Sequence, residues 1–191
     1  MLKKIAECAA AGVNLVQLRE KDLSARALEE LALKAMAAVA GSQTHLLINS
    51  RTDVALACGA HGVHLPANDL PASEVRAIFA RAGVSEPVIG VSTHSAAEVA
   101  SAEAHGADFA VFAPVFEKGG TASREGLEEL RRICHRAEAA QPPMPVLALG
   151  GITVENAQVC VAAGAAGIAG IRLFQENDVR AVVKKLREVR A

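Results

Sequence analysis

The chain has 191 residues, and its 20 basic side chains against 21 acidic ones leave a net charge of −1, which excludes the clustered positive excess of a nucleic-acid-binding protein. Hydrophobic residues make up 51% of it, too large a share for a disordered chain. No Trp or Tyr and only five Phe are present, so stacking platforms for nucleic-acid bases are nearly absent.

In chain order, residues 2–11 read as a helix, and the first β-type run follows at 13–18. Helix 24–40 opens on Ser24; strand 44–49, helix 52–58, strand 62–65 and helix 71–82 come next. Strand 87–92 leads into helix 95–105, where Ser95 with Glu98 three residues on forms a capping box. The remaining elements are strand 109–113, helix 123–139, strand 145–150, helix 154–163, strand 167–171 and helix 178–189. Most strand runs are continuously apolar rather than alternating, the pattern of parallel strands covered on both faces. Gly12, Gly59, Gly106 and Gly164 each stand where a helix must stop in left-handed backbone before the next strand.

This repeated βα unit predicts a parallel (β/α)8 TIM-type barrel, one domain over residues 1–191. Seven strands against eight helices, with a helix first, leave two readings. Either the barrel lacks its first strand, or it is open or rearranged. The strand edges then exposed call for cover, by a homo-oligomer contact or by a helix that moves in.

Cys8, Cys58, Cys134 and Cys160 stand far apart in apolar, helix-like settings, which points to buried free thiols rather than disulfides or a zinc site. Apolar runs stop well short of the ~20 residues a membrane span needs, and Glu7 interrupts any signal-like start. The expectation is a soluble, cytoplasmic protein with no membrane or nucleic-acid partner.

In such barrels the active groups stand at the carboxyl ends of the strands. Gln17, Arg19 and Lys21 alternate and share one face if the strand persists, two positive charges that suit a diphosphate; a solvated strand end explains them equally well. Gly150-Gly151 follows an apolar strand and opens a helix, so its backbone N–H groups suit a phosphate, unless the pair is an ordinary tight turn. Asp69 is either a Mg²⁺ ligand facing the same mouth or a cap for the helix starting near Pro71. His64 and His94 are candidate proton donors or simply packed residues.

Together these stretches resemble the thiamine-phosphate synthase family over nearly the whole chain. The matching segments are Val16-Gln-Leu-Arg-Glu-Lys21, Leu47-Ile-Asn-Ser-Arg51 with Asp53, and Gly59-Ala-His-Gly-Val-His-Leu65 with Asp69. Further along they are Gly90-Val-Ser-Thr-His-Ser95, Ala107-Asp-Phe-Ala-Val-Phe-Ala-Pro-Val-Phe116, and Ala148-Leu-Gly-Gly-Ile-Thr153 with Asn156. The resemblance implies a (β/α)8 barrel that joins hydroxymethylpyrimidine diphosphate to a thiazole phosphate with Mg²⁺, releasing pyrophosphate and forming thiamine monophosphate. It implies that Gln17, Arg19, Lys21 and Asn49 bind the pyrimidine diphosphate, Asp69 takes a Mg²⁺ position, Ser92 contacts the diphosphate end, and Gly151 helps hold the thiazole phosphate.

The chain departs from the family pattern in four places. It lacks an opening strand with a Thr-Asp-Arg-like end. Ser50 follows Asn49 where the family carries a second metal carboxylate. Glu117-Lys118-Gly-Gly-Thr121 replaces a Thr-x-Thr-Lys segment, leaving Lys118 or Thr121 as the substitute, with Lys118 the catalytic candidate beside Arg19 and Lys21. Arg172 stands near the phosphate end where the family has a small residue and Ser, and is the candidate phosphate ligand there. A thiazole tautomerase is the alternative enzyme, disfavoured by Pro114 at the position of its histidine. A phosphate-binding relative without catalysis is the other alternative.

Overall fold

The computed structural model describes residues 1–116, 124–136 and 143–189. Helix α1 (Leu2–Ala11) comes first, followed by β1 (Leu15–Leu18), α2 (Ala25–Val39), β2 (His45–Asn49), α3 (Thr52–Cys58), β3 (Gly62–Leu65) and α4 (Ala72–Arg81). Then come β4 (Val88–Thr93), α5 (Ala96–Ala104), β5 (Phe109–Phe112), α6 (Arg124–Cys134), β6 (Val146–Ala148), α7 (Ala157–Ala162), β7 (Gly167–Ile168), α8 (Arg172–Gln175) and α9 (Val179–Glu188). The expected parallel α/β architecture is present, and the described residues form seven strands in one sheet rather than the eight of a complete (β/α)8 barrel. The last strand is shorter than expected, ending at Ile168, and a four-residue helix that the sequence did not announce, α8, begins at Arg172.

Packing divides the chain into two compact units, Met1–Ile89 and Gly90–Ala191. In the first, β1 pairs with β2 and β2 with β3, all parallel. Leu46, Leu47 and Ile48 are all buried, as a strand covered on both faces requires. Helices α1, α2 and α3 pack in succession, and Ile5, Cys8, Leu28, Ala32, Val54 and Ala55 are among their buried residues. Gly62 is required by space: a Cβ there would lie 1.8 Å from the carbonyl oxygen of Val88.

In the second unit β4 pairs with β5, β5 with β6 and β6 with β7, again all parallel. Its core gathers Phe112, Phe116, Leu130, Ile133, Val146 and Cys160. Glu103 at the end of α5 ties this unit together. It accepts from Arg136 Nη2 at 2.6 Å and from the Met144 N–H at 2.8 Å. The capping expectations hold locally. Ser24 Oγ accepts from Ala27 N, and Ser95 Oγ accepts from Glu98 N. The Glu98 carboxylate reaches back to His94 N at 2.6 Å, one residue earlier than a capping box predicts. The four helix-stop glycines all have positive φ, between 66° and 101°. Among the described residues no helix is long and apolar enough to cross a membrane.

Candidate active site

The first unit contributes side chains. Residues paired across parallel strands, and residues two apart within one strand, share a sheet face. Gln17 is paired with Leu47 and Asn49 with His64, so Gln17, Asn49 and His64 lie on one face at the carboxyl ends of three successive strands. Gln17 Nε2 donates to Asn49 Oδ1 at 2.9 Å. This pairing orients Asn49 and leaves its amide N–H groups for a ligand. His64 is buried, and burial pushes its pKa down to about 4, so it is neutral near pH 7. The sequence had marked His64 without placing it on the face of Gln17 and Asn49; strand register was the signal that decides this.

Arg19 and Lys21 are exposed and lie past the end of β1 at Leu18. The expectation of one alternating face through Lys21 is therefore corrected: the chain leaves the strand and bends at 21–23. Asp69 is not a cap for α4, whose start at Pro71 has no side-chain cap. Instead its Oδ1 accepts from Leu70 N at 2.8 Å and its Oδ2 accepts from the Ser50 hydroxyl. Arg51 turns its Nε and Nη2 to Asp53 in an exposed two-point pair, at 2.8 and 2.6 Å. That pair lowers the Asp53 pKa and raises that of Arg51. A shallow pocket of about 190 Å³ between the first turns of α2 and α3 is lined by Arg26, Glu29 and Asp53, and none of the expected site residues touches it.

The second unit contributes mainly backbone. Ser92 is the penultimate residue of β4. His94 Nδ1 lies 2.7 Å from the Ala113 carbonyl oxygen, so that nitrogen carries the proton. Gly150 and Gly151 follow β6 with φ of 100° and 61°, a left-handed pair only glycine adopts without strain. A Cβ on Gly150 would also sit 2.9 Å from Pro114 Cα. The glycines do not open the helix directly, as the sequence suggested, because a turn at 154–156 precedes α7. Asn156 makes that turn: its Oδ1 accepts from Thr153 N at 2.8 Å and its Nδ2 donates to the Gly151 carbonyl at 3.1 Å. Arg172 is exposed and begins α8, beyond the end of β7 rather than at it. Lys118 lies outside the described residues.

The cysteines take no part in this chemistry. All four are free, and burial raises the thiol pKa of each, to about 11 for Cys134 and Cys160. They stay protonated and unreactive.

Against this geometry, residues 1–174 match the family model described as thiamine monophosphate synthase. The thiamine-phosphate synthase of Methanoculleus marisnigri is 38% identical over 184 residues, covering 94% of this chain and 83% of that protein. That of Moorella thermoacetica is 37% identical over 194 residues, covering 98% and 87%. The solved thiamine phosphate pyrophosphorylase of Pyrococcus furiosus superposes with a TM-score of 0.81 at 28% identity, over 98% of this chain and 88% of its own. The chain belongs to the thiamine monophosphate synthase family, a family of transferases.

Proposed function

We propose that this chain joins hydroxymethylpyrimidine diphosphate to a thiazole phosphate, forming thiamine monophosphate and releasing pyrophosphate. Family membership supports the reaction class. The observation that carries the assignment to these residues is Asp69, a carboxylate in the loop after β3 held by two donors, one of them the hydroxyl of Ser50, which follows Asn49 at the end of β2.

In this reading Gln17 orients Asn49, whose amide donors bind the pyrimidine diphosphate. Arg19 and Lys21 supply positive charge to the leaving pyrophosphate, Arg as a planar fork and Lys as a point charge. Stabilising that leaving group is the dominant contribution: the bond from the pyrimidine methylene to oxygen breaks first, pyrophosphate departs with the electron pair, and the thiazole nitrogen then bonds to the ring-stabilised cation. No general base is required, consistent with a neutral, buried His64 and with His94 held by the Ala113 carbonyl. Ser92 contacts the diphosphate end. Gly151, in the turn that Asn156 braces, receives the thiazole phosphate, with Arg172 as a second phosphate ligand and Lys118 as the substitute lysine.

Mg²⁺ belongs to the same proposal. Asp69 accepts two hydrogen bonds, and its two oxygens have about four lone-pair sites, so acceptor capacity remains for a cation. Among the described residues no group of three or more metal-ligating side chains occurs. This donor set fits a cation shared between one carboxylate, water and substrate phosphates, a common arrangement for Mg²⁺. When bound, the ion would neutralise charge on the departing diphosphate. We take residues 1–191 as one domain acting in the cytoplasm on small phosphorylated substrates, which do not cross membranes unaided, and as a homo-oligomer that covers the strand edges left by seven strands. The test is incubation with both substrates and Mg²⁺. Pyrophosphate and thiamine monophosphate should appear in equal amounts, and absence of both refutes the reading.

A further inference from the structure

We infer that Ser50 is a positioning residue: its hydroxyl, delivered by a left-handed backbone, fixes the Asp69 carboxylate in the orientation that receives a diphosphate-bound divalent cation. The inference rests on the metal role proposed for Asp69.

Ser50 has φ of 62° and is the one non-glycine residue with positive φ among those described. Serine has no special tolerance for that region, which favours Gly, Asn and Asp, so its conformation needs support from the surroundings. Three backbone bonds supply it. Ser50 N donates to the His64 carbonyl at 3.0 Å, Arg51 N to that of Asn49 at 2.7 Å, and Thr52 N to that of Ser50 at 3.0 Å. The first ties the turn after β2 to β3. From this position the hydroxyl donates to Asp69 Oδ2 across 19 residues of sequence. Asp69 Oδ1 is held by Leu70 N, and the Asp69 N–H itself donates to Pro66 at 3.1 Å. The carboxylate thus has a donor on each oxygen and an anchored backbone. A partner of this kind commonly governs metal affinity by 10- to 100-fold without touching the ion.

The test uses the full chain and inorganic pyrophosphate, titrated calorimetrically at fixed Mg²⁺ concentrations. Ser50→Gly removes the hydroxyl while suiting the left-handed backbone, so the melting temperature should not fall. Pyrophosphate affinity in Mg²⁺ should drop on the order of tenfold. Ser50→Asn restores a donor in a residue that tolerates positive φ, and should recover most of that loss. In steady-state assays the Ser50→Gly defect should appear as a raised Mg²⁺ half-saturation more than a lowered kcat. Unchanged affinity in Ser50→Gly overturns the inference, as does an Asn variant as weak as the Gly variant. Asp69→Asn separates the two levels. If it weakens Mg²⁺-dependent binding while Ser50→Gly does not, the positioning role alone fails. If Asp69→Asn has no effect, the metal reading fails and takes this inference with it.

Discussion

The strand ends of the two units are built differently. In the first, polar side chains meet one another, Gln17 with Asn49 and Ser50 with Asp69. In the second, side chains near the strand ends mostly bond to backbone: Thr93 to the Val111 carbonyl, His94 to that of Ala113, Asn156 to that of Gly151. Side-chain pairs present charge and donors to a ligand. Side chains that bind backbone instead shape a turn whose main-chain N–H groups do the presenting. A conservative substitution should therefore damage chemistry in the first unit and architecture in the second.

The largest expected effect is on activity in the first unit. Asp69→Ala should reduce pyrophosphate release to below about one hundredth of the parent rate, with little change in melting temperature because Asp69 sits on a partly exposed loop. A variant that keeps its rate breaks the contrast outright. Ser50→Asp gives up the hydroxyl that positions Asp69, but it suits the positive φ and adds a second carboxylate able to take a cation position itself, so the Mg²⁺ concentration for half-maximal rate should fall where that of Ser50→Gly rises.

The matching experiment in the second unit is Glu103→Ala. It leaves Arg136, whose side chain is 12% exposed, without its carboxylate, and Arg136 Nε already has no hydrogen-bond partner among the described residues. Removing one member of a fully buried pair costs about 3–5 kcal/mol, and this largely buried pair, in which Arg136 keeps its bond to the Ile133 carbonyl, should lose less. Chemical denaturation should show that loss, and binding of pyrophosphate by whatever remains folded should be spared.

His64 contributes a distinct step to the pH dependence of the first unit. Its folded pKa of about 4 lies below the ordinary 6.5. The unfolded chain therefore binds more protons between these values, and stability rises with pH across that window. The contribution is complete above about pH 6.5 and is lost progressively down to about pH 4, on the order of 3 kcal/mol in all. His64→Gln should flatten this part of the stability profile, as measured by denaturation at several pH values.

The smallest effect is expected at Asn156→Ala. It removes two hydrogen bonds within the turn, roughly 1–2 kcal/mol of local stability. Thiazole phosphate affinity should weaken several-fold while pyrophosphate affinity stays near the parent value. Equal loss of both would erase the distinction between a side-chain half and a backbone half.

Much of this was legible in the chain itself, because it depends on neighbours in sequence. Continuous apolar runs such as Leu46-Leu47-Ile48 specify strands covered on both faces, and glycines such as Gly12 and Gly59 stop helices whatever lies beyond them. The caps at Ser24 and Ser95 reach only three residues. The family could be recognised because its motifs are local and ordered. The extent of β1 and β7 was not legible, since Arg19 and Arg172 fit a strand as well as a bend or a helix start. Nor was the use of Ser50. Its sequence shows only that a carboxylate is missing, while its function depends on a hydroxyl meeting an oxygen of Asp69 in the loop after the next strand. Local propensity acts over a few residues, whereas strand register and a left-handed turn bring together groups 15 to 32 positions apart. Only the folded arrangement determines those meetings.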